Sequence, residues 1–168
     1  MRFSILYTLL LLFLLLPFGS QAQERTSNIT VSAQVVPSVS GVELQSLKSL
    51  TLSRDDAVDG IISINPGSSQ NAGKMVAIGS PNSAITINYF QSRELSNSEG
   101  TGVITFNYQL SGNQIDDQNS SELIFQDSRN LRLSENGEFF IWIGGNIDIT
   151  NAAPGNYSGD FTLEIEYL

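Results

Sequence analysis

The stretch G-D-F-T-L-E-I-E-Y-L, residues 159–168, sets Phe161, Leu163, Ile165 and Tyr167 at every second position, with Asp160, Thr162, Glu164 and Glu166 between them. An extended chain points successive side chains to opposite sides, so this alternation describes a strand with one apolar and one wetted face. A helix would scatter the same four apolar residues around its circumference. The segment therefore reads as the last strand of an all-β domain, lying on a core.

The same period governs the segment where Ile29, Val31, Ala33 and Val35 interleave with Asn28, Thr30, Ser32 and Gln34 up to Pro37. This is the expected first strand. Further strands are expected at 50–52, 61–64, 74–78, 84–90, 103–110, 123–125 and 139–143. They are separated by turn-rich stretches at 55–60, 65–73, 79–82 and 111–113. Many short strands divided by such turns predict a sandwich or barrel. Between 42 and 52 the apolar residues Val42, Leu44, Leu47 and Leu50 fall partly on a helical stripe, and the expectation is irregular chain followed by a strand. Phe139, Phe140, Ile141, Trp142 and Ile143 are apolar on both faces, as in a central strand covered on both sides or lying at a packing interface. No repeat or composition break divides the chain, so residues 23–168 are expected to form a single domain.

The first 22 residues have a different grammar. Arg2 precedes an apolar run at 5–16, and Pro17, Gly19 and Ser20 follow, the layout of a signal peptide. Ser20 and Ala22 fit the small positions before a cleavage site, so the mature chain is expected to start at Gln23, outside the cytoplasm: periplasmic, at the cell surface or extracellular. A run this short is below the ~20 residues that a spanning helix needs, so no membrane span is expected after cleavage; the competing reading is an uncleaved N-terminal anchor. With no cysteine in the chain, a lipid anchor is excluded.

Cleavage after Ala22 would leave 146 residues with 7 basic and 17 acidic side chains, a formal charge of −10. Phosphate binding depends on clustered Lys and Arg, so nucleic acid and anionic membranes are not expected partners. Without cysteine, stability must come from burial and strand pairing. Without histidine as well, Ser/His/Asp and Cys/His catalysis and ordinary zinc sites are excluded. Two acidic clusters remain, Asp55, Asp56 and Asp59 before Gly60, and Asp116, Asp117 and Glu122 around Asn119. Neither has the spacing of a calcium-binding EF-hand loop, and both read as solvated loop acids. Sequons at Asn28, Asn119 and Asn156 read as polar surface, and the aromatic residues fall at strand spacing, as core packing requires. No catalytic residue, metal ligand or cofactor is expected.

The motif A-A-P-G-N-Y-S-G-D-F-T-L-E-I-E-Y at 152–167 resembles the ending of a secreted bacterial family, domain of unknown function 4402; Pro154, Gly155, Tyr157, Gly159 and Phe161 carry the likeness. Ala77, Gly79, Pro81, Asn82, Ile85 and Ile87 extend it upstream. At 50–53 the chain has L-T-L-S where such proteins tend to have L-x-F-G. A similar closing turn and strand occurs in spore-coat-U-like and chaperone–usher pilin domains. That resemblance implies an immunoglobulin-like (pilin-like) antiparallel β-sandwich and assembly by strand donation. The function expected is a non-enzymatic structural or adhesive subunit of a cell-surface assembly, self-associating through a sheet edge left open beside the last strand. Ile29, Val31, Ala33 and Val35 are its strand-exchange or interface candidates. The alternative is a monomeric carbohydrate-binding module using the loops at 93–102 or 112–121.

Overall fold

The computed structural model describes residues 28–35, 41–125 and 131–168, the first of these through its backbone. The period-two segments form strands. In chain order these are β1 (Asn28–Val35), β2 (Glu43–Lys48), β3 (Leu50–Ser53), β4 (Ile61–Ile64), β5 (Gly73–Ile78), β6 (Ala84–Tyr89), β7 (Ser92–Asn97), β8 (Val103–Asn113), β9 (Glu122–Ile124), β10 (Leu131–Arg132), β11 (Glu138–Asp148) and β12 (Tyr157–Tyr167). They make an all-β sandwich. One layer runs β3-β1-β12-β6-β10 and the other β2-β5-β11-β8-β9, with β4 following β5 along the same edge of β11.

Two segments carry the chain around the corner between the layers. β6 and β7 both run antiparallel to β12, from the Tyr89↔Leu163 pair to the Asn97↔Tyr157 pair, with a break at Phe90 and Gln91. Beyond the break β7 also pairs with β8, so it belongs to both layers. Similarly β2 pairs with β5 while β3, just past Ser49, pairs with β1. A strand that switches sheets in this way closes a sandwich without a separate connection.

The core follows from the alternation. Phe161, Leu163 and Ile165 are buried and Glu164 and Glu166 exposed, the faces read from the sequence. Phe161 packs 4.4 Å from the ring of Tyr108 and 6.2 Å from that of Tyr89, and Phe106 meets Tyr108 edge-on at 4.5 Å. β11 is central, paired by β8 on one edge and by β4 and β5 on the other; away from the core Trp142 is buried and Phe140 half-buried. Phe139, Ile141 and Ile143 enter the core. On the opposite face the Lys74 ammonium lies 5.3 Å from the Phe140 ring centroid and 5.9 Å from that of Trp142, and pairs with Asp116.

The structure corrects three local expectations and adds one strand. The irregular chain expected at 42–49 is β2, exposed except at the half-buried Leu44 and bulged between Ser46 and Lys48, so its period-two signal is weak. The first half of the loop expected at 93–102 is β7, and the turn expected at 111–113 is the continuation of β8. The two-residue β10 carries no pattern long enough to read.

Candidate functional site

The interface candidates lie on β1, whose place in the sheet makes the site. β1 runs parallel to β12, in register from Ile29↔Tyr157 to Val35↔Leu163, and antiparallel to β3, from Asn28↔Ser53 to Val31↔Leu50. Ile29, Val31, Ala33 and Val35 thus stand opposite Tyr157, Gly159, Phe161 and Leu163, the core-facing side of β12. On the other flank Ile29 and Val31 stand opposite Leu52 and Leu50, both buried. The edge expected to stand open beside the last strand is therefore occupied: β12 has β1 on one side and β6 with β7 on the other. That filling is a parallel pairing between segments more than a hundred residues apart, which a local pattern does not reveal. Val36 and Pro37, expected to end the strand, lie outside the described residues, as do residues 1–22, the segment read as a signal peptide.

The C-terminal motif builds one wall of this slot. Tyr157 donates its hydroxyl to the Ala153 carbonyl at 2.9 Å. Asn97, buried at the end of β7, donates to the Pro154 carbonyl at 3.3 Å and accepts from the Glu99 amide at 2.8 Å. The Ser98 amide and the Asn156 side chain close the same junction, through the Asn156 carbonyl (2.8 Å) and the Glu99 carboxylate (2.9 Å). Gly155 has φ 145°, and a Cβ there would lie 2.5 Å from Asn97 Nδ2, so this turn has no room for a side chain. A Cβ at Gly159 would lie 2.6 Å from Leu95 Cδ2, which explains the second glycine by the close approach of β7. Phe161 then anchors the strand in the aromatic core.

The upstream motif pins the other end of β12. The Ser80 amide donates to the Tyr167 hydroxyl at 2.8 Å, Asn82 takes the left-handed turn conformation at φ 58°, and Ala77, Ile85 and Ile87 are fully buried. These residue types are required by the architecture around β12.

A family model described as Domain of unknown function (DUF4402) matches residues 15–167. The chain belongs to that family. No curated protein matches it. In this DUF4402 chain Leu52, at the aromatic position of L-x-F-G, is fully buried, and Ser53 begins a capped 3-10 turn in place of a glycine.

The acidic clusters have local partners. Ser53 Oγ accepts from the Asp55 amide and Asp56 accepts from the Ser53 amide, both at 3.3 Å, a reciprocal cap on the turn at Arg54–Asp56. Asp117 caps the turn at Gln118–Ser120, accepting from the Asn119 amide (3.1 Å) and the Ser120 hydroxyl (2.7 Å), while Asp116 pairs with Lys74. Among the described residues no three acidic side chains converge on one point. The loops considered for ligand binding are likewise tied down. Residues 98–102 close on themselves through the Asn97 amide and Gly102 carbonyl (2.8 Å), and Gln118 donates to the Pro66 and Ser69 carbonyls at 2.8 and 2.9 Å.

Among the described residues two buried side-chain atoms have no hydrogen-bond partner, Tyr108 Oη and Arg93 Nε. Burial pushes the Tyr108 phenol well above its usual range; the positive charge of Arg93 works against this and Asp160 adds to it. What the sequence reading missed is a cleft on the outer face of β8, beside the unpaired stretch between β7 and β9. Its side chains come from β8, β9, β11 and the β6–β7 break, and no spacing in the chain links them.

Proposed function

We propose that this DUF4402 protein is an exported, non-enzymatic structural subunit of a bacterial cell-surface assembly, and that copies join by exchanging β1. The observation that carries the reading is the seat of β1, backbone-paired on both sides and joined to β2 through 36–42. If β1 leaves, two rows of backbone groups lose their partners above an apolar trough of Leu50, Leu52, Phe161 and Leu163. The β1 of a second copy offers the same groups in the same register, so exchange replaces each pair with an identical one. The equilibrium is then set by the linking segment and by local concentration. The remaining edges favour this route over simple edge-to-edge addition: β10 has 2 residues, β9 has 3, β3 and β4 have 4 each, and β2 is bulged. Export rests on the sequence reading of residues 1–22.

The chain's lack of cysteine makes the test direct. Thr30 and Ser158 are register partners, and Ser158 is exposed. A Thr30→Cys chain mixed with a Ser158→Cys chain, unfolded, refolded together and oxidised, should give a disulfide-linked heterodimer, because neither chain holds both thiols. A Thr30→Cys/Ser158→Cys double variant should give linked ladders at high concentration. If the double variant closes only within one chain and the mixture yields no heterodimer at any concentration, exchange is wrong. Failure of the double variant to form any bridge would refute the register itself.

A further inference from the structure

The pairing along β8 leaves a gap in the wall of its layer. β7 covers one edge of β8 up to the Ser92↔Asn107 pair, and β9 covers it from the Leu110↔Ile124 pair onward. Between them, Tyr108 and Gln109 face no strand; the Tyr108 amide is satisfied by the Gln91 carbonyl at 2.7 Å. A cleft of about 270 Å³ opens there. We infer that this cleft is a binding site for a neutral oligosaccharide.

The chemistry of the lining carries the inference. In a chain of net charge −9, none of the ten lining residues is charged. Four are carboxamides: Gln91, Asn107, Gln109 and Asn146. Each offers a planar donor and acceptor together, the complement of the paired donor and acceptor of a sugar hydroxyl. Asn107 donates to Asn146 across the β8–β11 pair at 3.4 Å, which holds the two amides side by side on the outer face. Gln91 hydrogen-bonds Tyr89, whose hydroxyl donates to the Ile124 carbonyl at 3.0 Å, so the floor is already ordered. Among the described residues the Gln109 side chain has no hydrogen-bond partner. Leu123 and Phe125 flank the amides on the same outer face, 53% and 67% exposed. Large exposed apolar groups beside uncharged hydrogen-bonding groups suit a ligand that is itself part apolar ring face and part hydroxyl rim.

Size and geometry select against a protein partner. The volume of about 270 Å³ lies just below the usual range of ligand pockets, about 300 to 1,000 Å³, room for one or two sugar rings of a longer chain. Among the described residues the unpaired edge is Tyr108 and Gln109, too short for an added strand to dock by backbone pairing. The site lies on the layer opposite the β1 slot, so it stands whether or not subunits exchange strands.

The experiment is a titration of the purified, isotope-labelled protein, followed by the side-chain amide signals of Asn107, Gln109 and Asn146 in nitrogen–proton correlation spectra. The probes are cellohexaose, xylohexaose, mannohexaose and maltohexaose, with oligogalacturonate as the acidic counterpart and a peptide of the β1 sequence as the protein counterpart. At least one neutral hexasaccharide should shift these signals saturably at up to about 10 mM, and Gln109→Ala and Phe125→Ala should each weaken the response about tenfold or more while the backbone spectrum stays folded. Silence towards all the neutral probes, shifts confined to other residues, or an equal response to oligogalacturonate would each overturn the assignment. A peptide that moves the same signals would reassign the cleft to a protein strand.

Discussion

Tyr108 carries a buried hydroxyl with no hydrogen-bond partner among the described residues, although its ring is held between Phe106 and Phe161. Replacing it with Phe keeps the ring contacts and removes only the oxygen. A buried polar group left unsatisfied costs about 1–3 kcal/mol, and the small void left by one oxygen costs a few tenths at about 24 cal/mol per Å³, so Tyr108→Phe should stabilise the fold by about 1 kcal/mol. In a domain of this size that raises Tm by roughly 3 °C. Tyr89→Phe is the internal control, since it deletes a hydroxyl that bonds the Ile124 carbonyl and Gln91, and it should destabilise by about 1 kcal/mol. The pH dependence gives a second readout. Burial raises the Tyr108 phenol above its unfolded value of 10.0, so the neutral form is favoured by folding. That contribution is complete below pH 10 and is lost as the pH rises further, because the unfolded state ionises first. The wild type should therefore lose stability above pH 10 faster than Tyr108→Phe, and the gap between them should widen. Urea unfolding monitored through Trp142, the only tryptophan, measures both. If Tyr108→Phe is as destabilising as Tyr89→Phe, the hydroxyl has a partner and the reasoning fails.

The facing of β12 and the acid limb of stability give further checks. Ile165→Asp places an unpaired charge in the core and should destabilise by several kcal/mol, about enough to unfold the domain, whereas Glu164→Ala on the exposed face should stay within about 0.5 kcal/mol; equal melting temperatures would reverse the faces. The Thr150 amide, at 2.9 Å, and the Thr150 side chain hold the Asp148 carboxyl below its ordinary 3.8, so its contribution is present above pH 3.8 and lost as the pH falls through the lowered value. Asp148→Asn should be less stable than wild type at neutral pH and match it in acid; a gap that persists unchanged at low pH would remove the carboxylate as its cause.

Among the motif residues, sequence and structure agree on position and part on meaning. Pro154, Gly155, Tyr157, Gly159 and Phe161 read as a family signature. Their geometry turns the signature into a mechanical statement: a turn locked to Asn97, a strand pressed against Leu95, and a ring in the aromatic stack. Upstream, Tyr167 and Asn82 fix the far end of the same strand. The acids at 55–59 and Asp116 and Asp117 were legible as loop residues, whereas Glu122 opens β9, and the capping and pairing roles depend on which backbone amides and which lysine the fold brings near.

What the sequence determined by itself was the all-β class, the inward and outward faces of β12, the apolar character of both faces of β11, and the membership of Ile29, Val31, Ala33 and Val35 in one strand face. All of these are consequences of a two-residue period, which is written locally in the chain. What only the tertiary structure decided was the parallel seat of β1 between β3 and β12, the existence of the doubly paired β7, and the convergence of Gln91, Asn107, Gln109 and Asn146 on one cleft. Each depends on which distant segments share backbone hydrogen bonds, and a strand's side-chain alternation is the same whichever neighbour it meets.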